Sequence, residues 1–421
     1  MILSAAGYIV AANAIEKSGV SRGAGAAADV GFRIAARYAV GAHHLLGREA
    51  SAQLLAPVDA AAVTGDERLE AAIVAGEIAG PEAALERLKR PAASAELAED
   101  AEVLRTLYNA GNVNDLSPEH RRGLIDRHEW FGKLAATYGV GDDNPERRAV
   151  LRAATRTLVA LLVAFVLGGV ALLTGFVLLV TAAIRWLDGR FVTAYRRASA
   201  PASTGPFLEA FAVYLAAMVG LSFLLRWLLG GRLQSIWFII VIIPFTFLWP
   251  LLRGVPRADL RAGLGWHRGR GLWREAGAGV VGYLAGLPVL AAGAMVTLVL
   301  QRFSGSDTSH PIINEFGRGA WRTAQLFFLA AVWAPVVEET MFRGALYHHL
   351  RARLPWPAAA AIVALLFAAI HPQGWAAIPV LAAIALSLAT IREWRGSIVA
   401  SAVAHGINNG VVTILFVLLL S

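Results

Sequence analysis

The sequence predicts an all-α fold, a polytopic transmembrane helical bundle of about eight spans with an N-terminal helical extramembrane region. Three observations predict it. Of 421 residues, 57% are hydrophobic and only 16% charged, where an ordinary soluble domain is about 25% charged, and the mean hydropathy is +0.56. From about residue 155 the chain runs in apolar stretches of about 20 residues, the length a helix needs to cross a bilayer. Before that point the stretches are polar and repeat with the helical period of about 3.6 residues.

Residues 1–150 form the extramembrane region, whose role the residues leave open. PEAALERLKR and AEDAEVLRTLYNAG read as amphipathic helices. A third begins at LSPEHRRGLIDRHEWFGKLAATYG, with Ser117 as cap, Pro118 in the first turn and Glu119 supporting it. His43, His44, His120 and His128 have no metal-ligand spacing, so surface or packing roles are expected.

Residues 151–421 form the transmembrane domain, with apolar segments near 157–183, 207–229, 235–252, 275–300, 323–350, 356–371, 375–391 and 396–420. Arg185, Arg190, Arg196 and Arg197 follow the first segment, and six arginines lie within 253–274. Arg351 and Arg353 follow the fifth, and Arg392 and Arg395 the seventh, which reads as the positive-inside pattern. The net charge of +8 therefore points to anionic lipid and not to nucleic acid. With no cysteine, thiolate catalysis, disulfides and Cys-ligated zinc are excluded. The Ala-, Arg- and Gly-rich composition suits a bacterial inner membrane.

The stretch PVVEETMFRG places Glu338, Glu339 and Arg343 inside the fifth apolar segment. Each such charge costs about 2.5–3.5 kcal/mol at a helix centre on insertion scales, so intramembrane charges are rare and usually functional. Glu339 and Arg343 stand four apart with the acid first, the order that pairs on one helix face. That makes them structural support and leaves Glu338 for chemistry. Pro335 is expected to break the helix and turn Glu338 toward the other polar groups.

Two further polar insertions follow: FAAIHPQGW, with His371, and AVAHGINNG, with His405 and Asn409 again four apart. Asn408 points elsewhere, as a helix–helix hydrogen bond would need. Measured from the arginine-bearing side, helical rise puts Glu338 roughly 20 Å, His371 roughly 22 Å and His405 roughly 15 Å deep. Three helices thus bring polar groups to comparable depth. A carboxylate and an imidazole can deprotonate water, and a second imidazole with an amide can stabilise an oxyanion. Alternatively Glu338, His371 and His405 are metal ligands, with zinc the divalent ion such a set would take. A transporter's proton relay and a non-catalytic scaffold or immunity protein are the readings from other classes.

EETMFR (Glu338 to Arg343), FAAIH (Phe367 to His371) and HGINN (His405 to Asn409) resemble the EExxxR, FxxxH and HxxxN motifs of the CPBP intramembrane proteases, also called the CAAX-protease or Abi, bacteriocin-processing, family. The resemblance covers about 323–415. It implies an intramembrane endopeptidase acting on a membrane-associated or prenylated peptide. It also implies that Glu338 and His371 activate water while His405 and Asn409 form the oxyanion site. Members are described both as metalloproteases and as glutamate proteases, so a zinc cofactor and none stay equally open.

Overall fold

The computed structural model describes residues 26–47, 51–198, 200–229, 240–304 and 320–420. Among the described residues every regular element is helical. The chain divides into two compact units, one built mainly from the first 167 residues and the other from 168–299 with 318–414.

In the first unit, helices α1 (Ala26–Leu46), α2 (Ser51–Ala61), α3 (Gly65–Ala79), α4 (Pro81–Leu88), α5 (Ala95–Ala110) and α6 (Pro118–Ala135) enclose their own core. Phe32, Ile73, Leu104, Leu107, Leu124 and Leu134 are its most buried large apolar side chains. The helix starts follow the expected chemistry. Thr64 and Glu67 form a reciprocal capping box at α3. Ser117 Oγ accepts from His120 N at 3.2 Å, with Pro118 in the first turn of α6. α6 does not run on unbroken: Glu129, at φ 49° and ψ −112°, kinks it.

His128, beside that kink, is buried and does more than pack. Its Nδ1 lies 3.1 Å from Glu70 Oε1 on α3 and its Nε2 3.3 Å from Asp100 Oδ2 on α5. Carboxylates only accept, so the protonated ring, with hydrogen on both nitrogens, is the form these two contacts favour. Arg127 also binds Asp100, its Nε at 2.8 Å from Oδ2. Burial opposes protonation of His128, but the hydrogen bonds and charges of Glu70 and Asp100 outweigh it and raise its pKa. The contribution to stability is therefore complete below the unfolded value of about 6.5 and is lost as pH rises through the raised folded value. In the full-length chain, His128→Asn is expected to lower the hydrogen-exchange protection of α3, α5 and α6 by about 1.5–3 kcal/mol at pH 6. After correction for intrinsic exchange, the difference from wild type should shrink on raising the pH. Equal protection at both pH values would contradict this.

α7 (Pro145–Leu187) belongs to the first unit up to Leu167 and to the second beyond it. The second unit adds α8 (Gly205–Leu229), α9 (Ile240–Leu252), α10 (Arg257–Leu264), α11 (Leu272–Ser304), α12 (Trp321–Arg351), α13 (Trp356–Ala369), α14 (Ile378–Arg395) and α15 (Ile398–Leu420). Among the described residues six helical stretches are long and apolar enough to cross a membrane, within α7, α8, α11, α12, α14 and α15. The short apolar helices α9 and α13 correspond to the other two expected spans. The chain is an integral, multi-pass membrane protein. Residues 235–239 of the expected third span lie outside the described residues. α14 differs from expectation in one respect. It continues four residues past the predicted end of its span, and Arg392 is 1% exposed instead of lying in a loop.

Candidate active site

α12 carries the EETMFR motif but is not one regular helix. Two stretches adopt the wider π register, Leu329–Trp333 and Glu339–Leu346, on either side of the α-helical Ala334–Glu338. Such turns are rare and concentrate at functional sites. The first follows from Pro335. Ala334 N–H bonds back to Leu329 O, but Pro335 has no N–H to continue that register to Ala330. Asn409 Nδ2, on α15, donates to Ala330 O instead, at 2.9 Å. The expected break at Pro335 is thus a register shift, because a side chain from another helix replaces the missing donor.

Gly406 makes that replacement possible. A Cβ there would lie 2.6 Å from Ala331 O, so only glycine lets α15 come this close to α12. Gly406→Val is expected to destabilise the protein by about 1–3 kcal/mol through overpacking. A detergent melting temperature equal to wild type would contradict the close approach.

The two glutamates differ as their spacing suggested. Glu339 and Arg343 are fully buried, with Arg343 Nη1 2.9 Å from Glu339 Oε1. Arg343 Nη2 donates to Ala385 O of α14 at 2.9 Å, and the guanidinium lies 4.8 Å from the Phe367 ring centroid. The same Glu339 Oε1 accepts from His405 Nδ1 at 3.1 Å. Glu338 keeps a side-chain exposure of 23%, and its Oε2 is 3.7 Å from His405 Nε2. That is too long for a direct hydrogen bond, and Oε2 is buried without any hydrogen-bond partner. His405 therefore sits between two carboxylates, one holding it and one facing it.

His371 joins this group through an aromatic contact. The Phe367 ring centroid is 4.2 Å from that of His371 and 5.9 Å from that of His405. His371 Nδ1–H donates to Phe367 O at 2.5 Å, which sets the tautomer and leaves Nε2 as the free nitrogen. Among the described residues no hydrogen bond or ion pair joins His371 to Glu338. The carboxylate–imidazole contact that forms is with His405. Asn409 gives one amide hydrogen to Ala330 O, and its Oδ1 accepts from Asn408 Nδ2 at 3.1 Å. Asn408, expected to bond another helix, here bonds its own neighbour.

As a cation cradle the residues do not fit. Among the described residues no group of three His, Asp or Glu side chains could hold a metal ion, and Glu338, His371 and His405 do not gather into one.

Several supports had no mark in the linear sequence. Trp266 Nε1 donates to Thr340 Oγ1 at 3.1 Å, within the EETMFR motif. At Gly344 a Cβ would lie 2.9 Å from Leu264 O, so this glycine lets the end of α10 butt against α12. Arg392 Nε donates to Arg343 O at 3.1 Å. Its signal, a charge after an apolar run, is the one any loop arginine leaves.

These features define a class: a multi-pass membrane protein with a buried carboxylate–imidazole contact between α12 and α15, against which Phe367 of α13 packs. Residues 320–411, which carry all three motifs, match the family model described as type II CAAX prenyl endopeptidase Rce1-like. That segment is similar to the CPBP/CAAX proteases, as the motifs indicated. No curated protein and no solved structure matches the chain. The family match supports a CAAX-type intramembrane endopeptidase.

Proposed function

We propose that the chain hydrolyses a peptide bond of a membrane-anchored peptide, with Glu338, His371, His405 and Asn409 as its catalytic residues. The observation that carries this reading is His405 held between Glu339 at 3.1 Å and Glu338 at 3.7 Å. Glu338, assisted by the free Nε2 of His371, takes a proton from water. The resulting hydroxide attacks the carbonyl carbon, and the π-electron pair moves to the carbonyl oxygen. His405 Nε2–H and the second amide hydrogen of Asn409 donate to that oxyanion. The intermediate collapses, the C–N bond breaks, and Glu338 returns its proton to the leaving amine. Glu339 supports this by accepting from His405 Nδ1–H, which aims Nε2 at the reacting side.

The test uses purified, reconstituted full-length chain with two kinds of peptide, a prenylated C-terminal peptide and a library of transmembrane peptides. Wild type should cleave at least one kind, and His371→Ala and His405→Ala should each lose about 10²–10⁴-fold in rate. Undiminished cleavage by both variants would refute the assignment. Solute movement without cleavage would favour the transporter reading.

A further inference from the structure

Arg392 carries a charge into the protein interior without an acid to match it. It is 1% exposed, and among the described residues no carboxylate lies within ion-pair distance of its guanidinium. Burying such a charge costs several kcal/mol after relaxation, and an apolar side chain would fill the space at no such cost. What the guanidinium touches is backbone. Nε donates to Arg343 O at 3.1 Å and Nη2 to Gly263 O at 3.2 Å, with Cζ 5.0 Å from the Tyr195 ring centroid. Nη1 has no hydrogen-bond partner.

The Arg343 carbonyl is the one the second π turn leaves over. Tyr347 N–H is directed to Phe342 O and Gly344 O and passes over Arg343 O. Arg392 supplies the donor there, as Asn409 does at Ala330 O after the first π turn. Both caps come from other helices, and between them lie Glu338 and Glu339. The tie to α14 is also reciprocal: Arg343 gives its side chain to Ala385 O and its carbonyl to Arg392. Converting the π turn to an α turn would rotate the motif by about 100° per residue removed and carry Glu339 away from His405.

We propose that Arg392 is a positioning residue of the peptidase site, its hydrogen bond to the Arg343 carbonyl fixing the π register in which Glu338 and Glu339 face His405. The proposal rests on the endopeptidase reading for its kinetic consequences. A guanidinium suits the task because its planar fork reaches two carbonyls in different directions while stacking on Tyr195, which an ammonium does not.

The experiment compares wild type, Arg392→Gln and Arg392→Lys as purified full-length protein. Both variants should lose about 100-fold in kcat, the scale of a misplacement of about 1 Å, with KM within about threefold. The His405 imidazole ¹⁵N resonances, identified by their disappearance in His405→Gln, should shift in both variants. The proposal is overturned if Arg392→Gln keeps kcat within about threefold of wild type or leaves those resonances unmoved. It is equally overturned if Arg392→Lys restores wild-type kcat, which would make the charge sufficient. Should wild type cleave nothing, the endopeptidase reading fails, and the His405 resonances still decide whether Arg392 sets the register. Should Arg392→Gln fail to fold, Arg392→Lys, which keeps the charge, provides the comparison.

Discussion

Glu338→Gln is expected to lower kcat by about 10³-fold, inside the range for loss of a general acid–base, while the melting temperature in detergent stays close to wild type. Its side chain is 23% exposed and its Oε2 has no hydrogen-bond partner, so the amide removes a base without stranding a neighbour. Glu339→Gln should behave differently. That carboxylate is fully buried and receives both Arg343 and His405, so neutralising it leaves the guanidinium unmatched. The expected result is a lower melting temperature together with lost activity. Two variants with the same profile would show that the adjacent acids do not divide their roles.

Arg343→Met should cost about 3–5 kcal/mol, because breaking a buried pair leaves an uncompensated charge. Glu339→Leu combined with Arg343→Met removes both charges, and replacement of a whole buried pair by apolar groups is often neutral or stabilising. The double variant is therefore expected to recover most of the stability and none of the activity, since His405 has lost the acceptor for Nδ1–H. Melting of the four proteins in a double-mutant cycle measures this. A single Arg343→Met that melts with wild type would show that the pair contributes nothing to the fold.

What was readable in the sequence depended on how local its cause is. The spans were legible because apolar length is a property of consecutive residues. So was the Glu339–Arg343 pair, whose partners are four residues apart. The π turns were not, since they combine a missing N–H at Pro335 with a donor, Asn409, that lies 79 residues from Ala330 in sequence. Arg392 looked like an interfacial charge because its acceptors, the carbonyls of Arg343 and Gly263, are 49 and 129 residues away. His128 was read as surface or packing for the same reason, its carboxylates lying 58 and 28 residues upstream on α3 and α5. Helical rise placed Glu338, His371 and His405 at comparable depth, and the resemblance implied that Glu338 acts with His371; neither could show that among the described residues the imidazole facing Glu338 Oε2 is that of His405, at 3.7 Å.

In the proposed reaction, water activated at Glu338 cuts a peptide inside the membrane. Reconstituted wild type and Glu338→Gln should be incubated with a membrane-anchored peptide in H₂¹⁸O and the products weighed by mass spectrometry. Wild type should release a product whose new carboxyl terminus bears ¹⁸O, and the variant should release no such product. Equal product from both proteins, or none from wild type, would contradict that reaction.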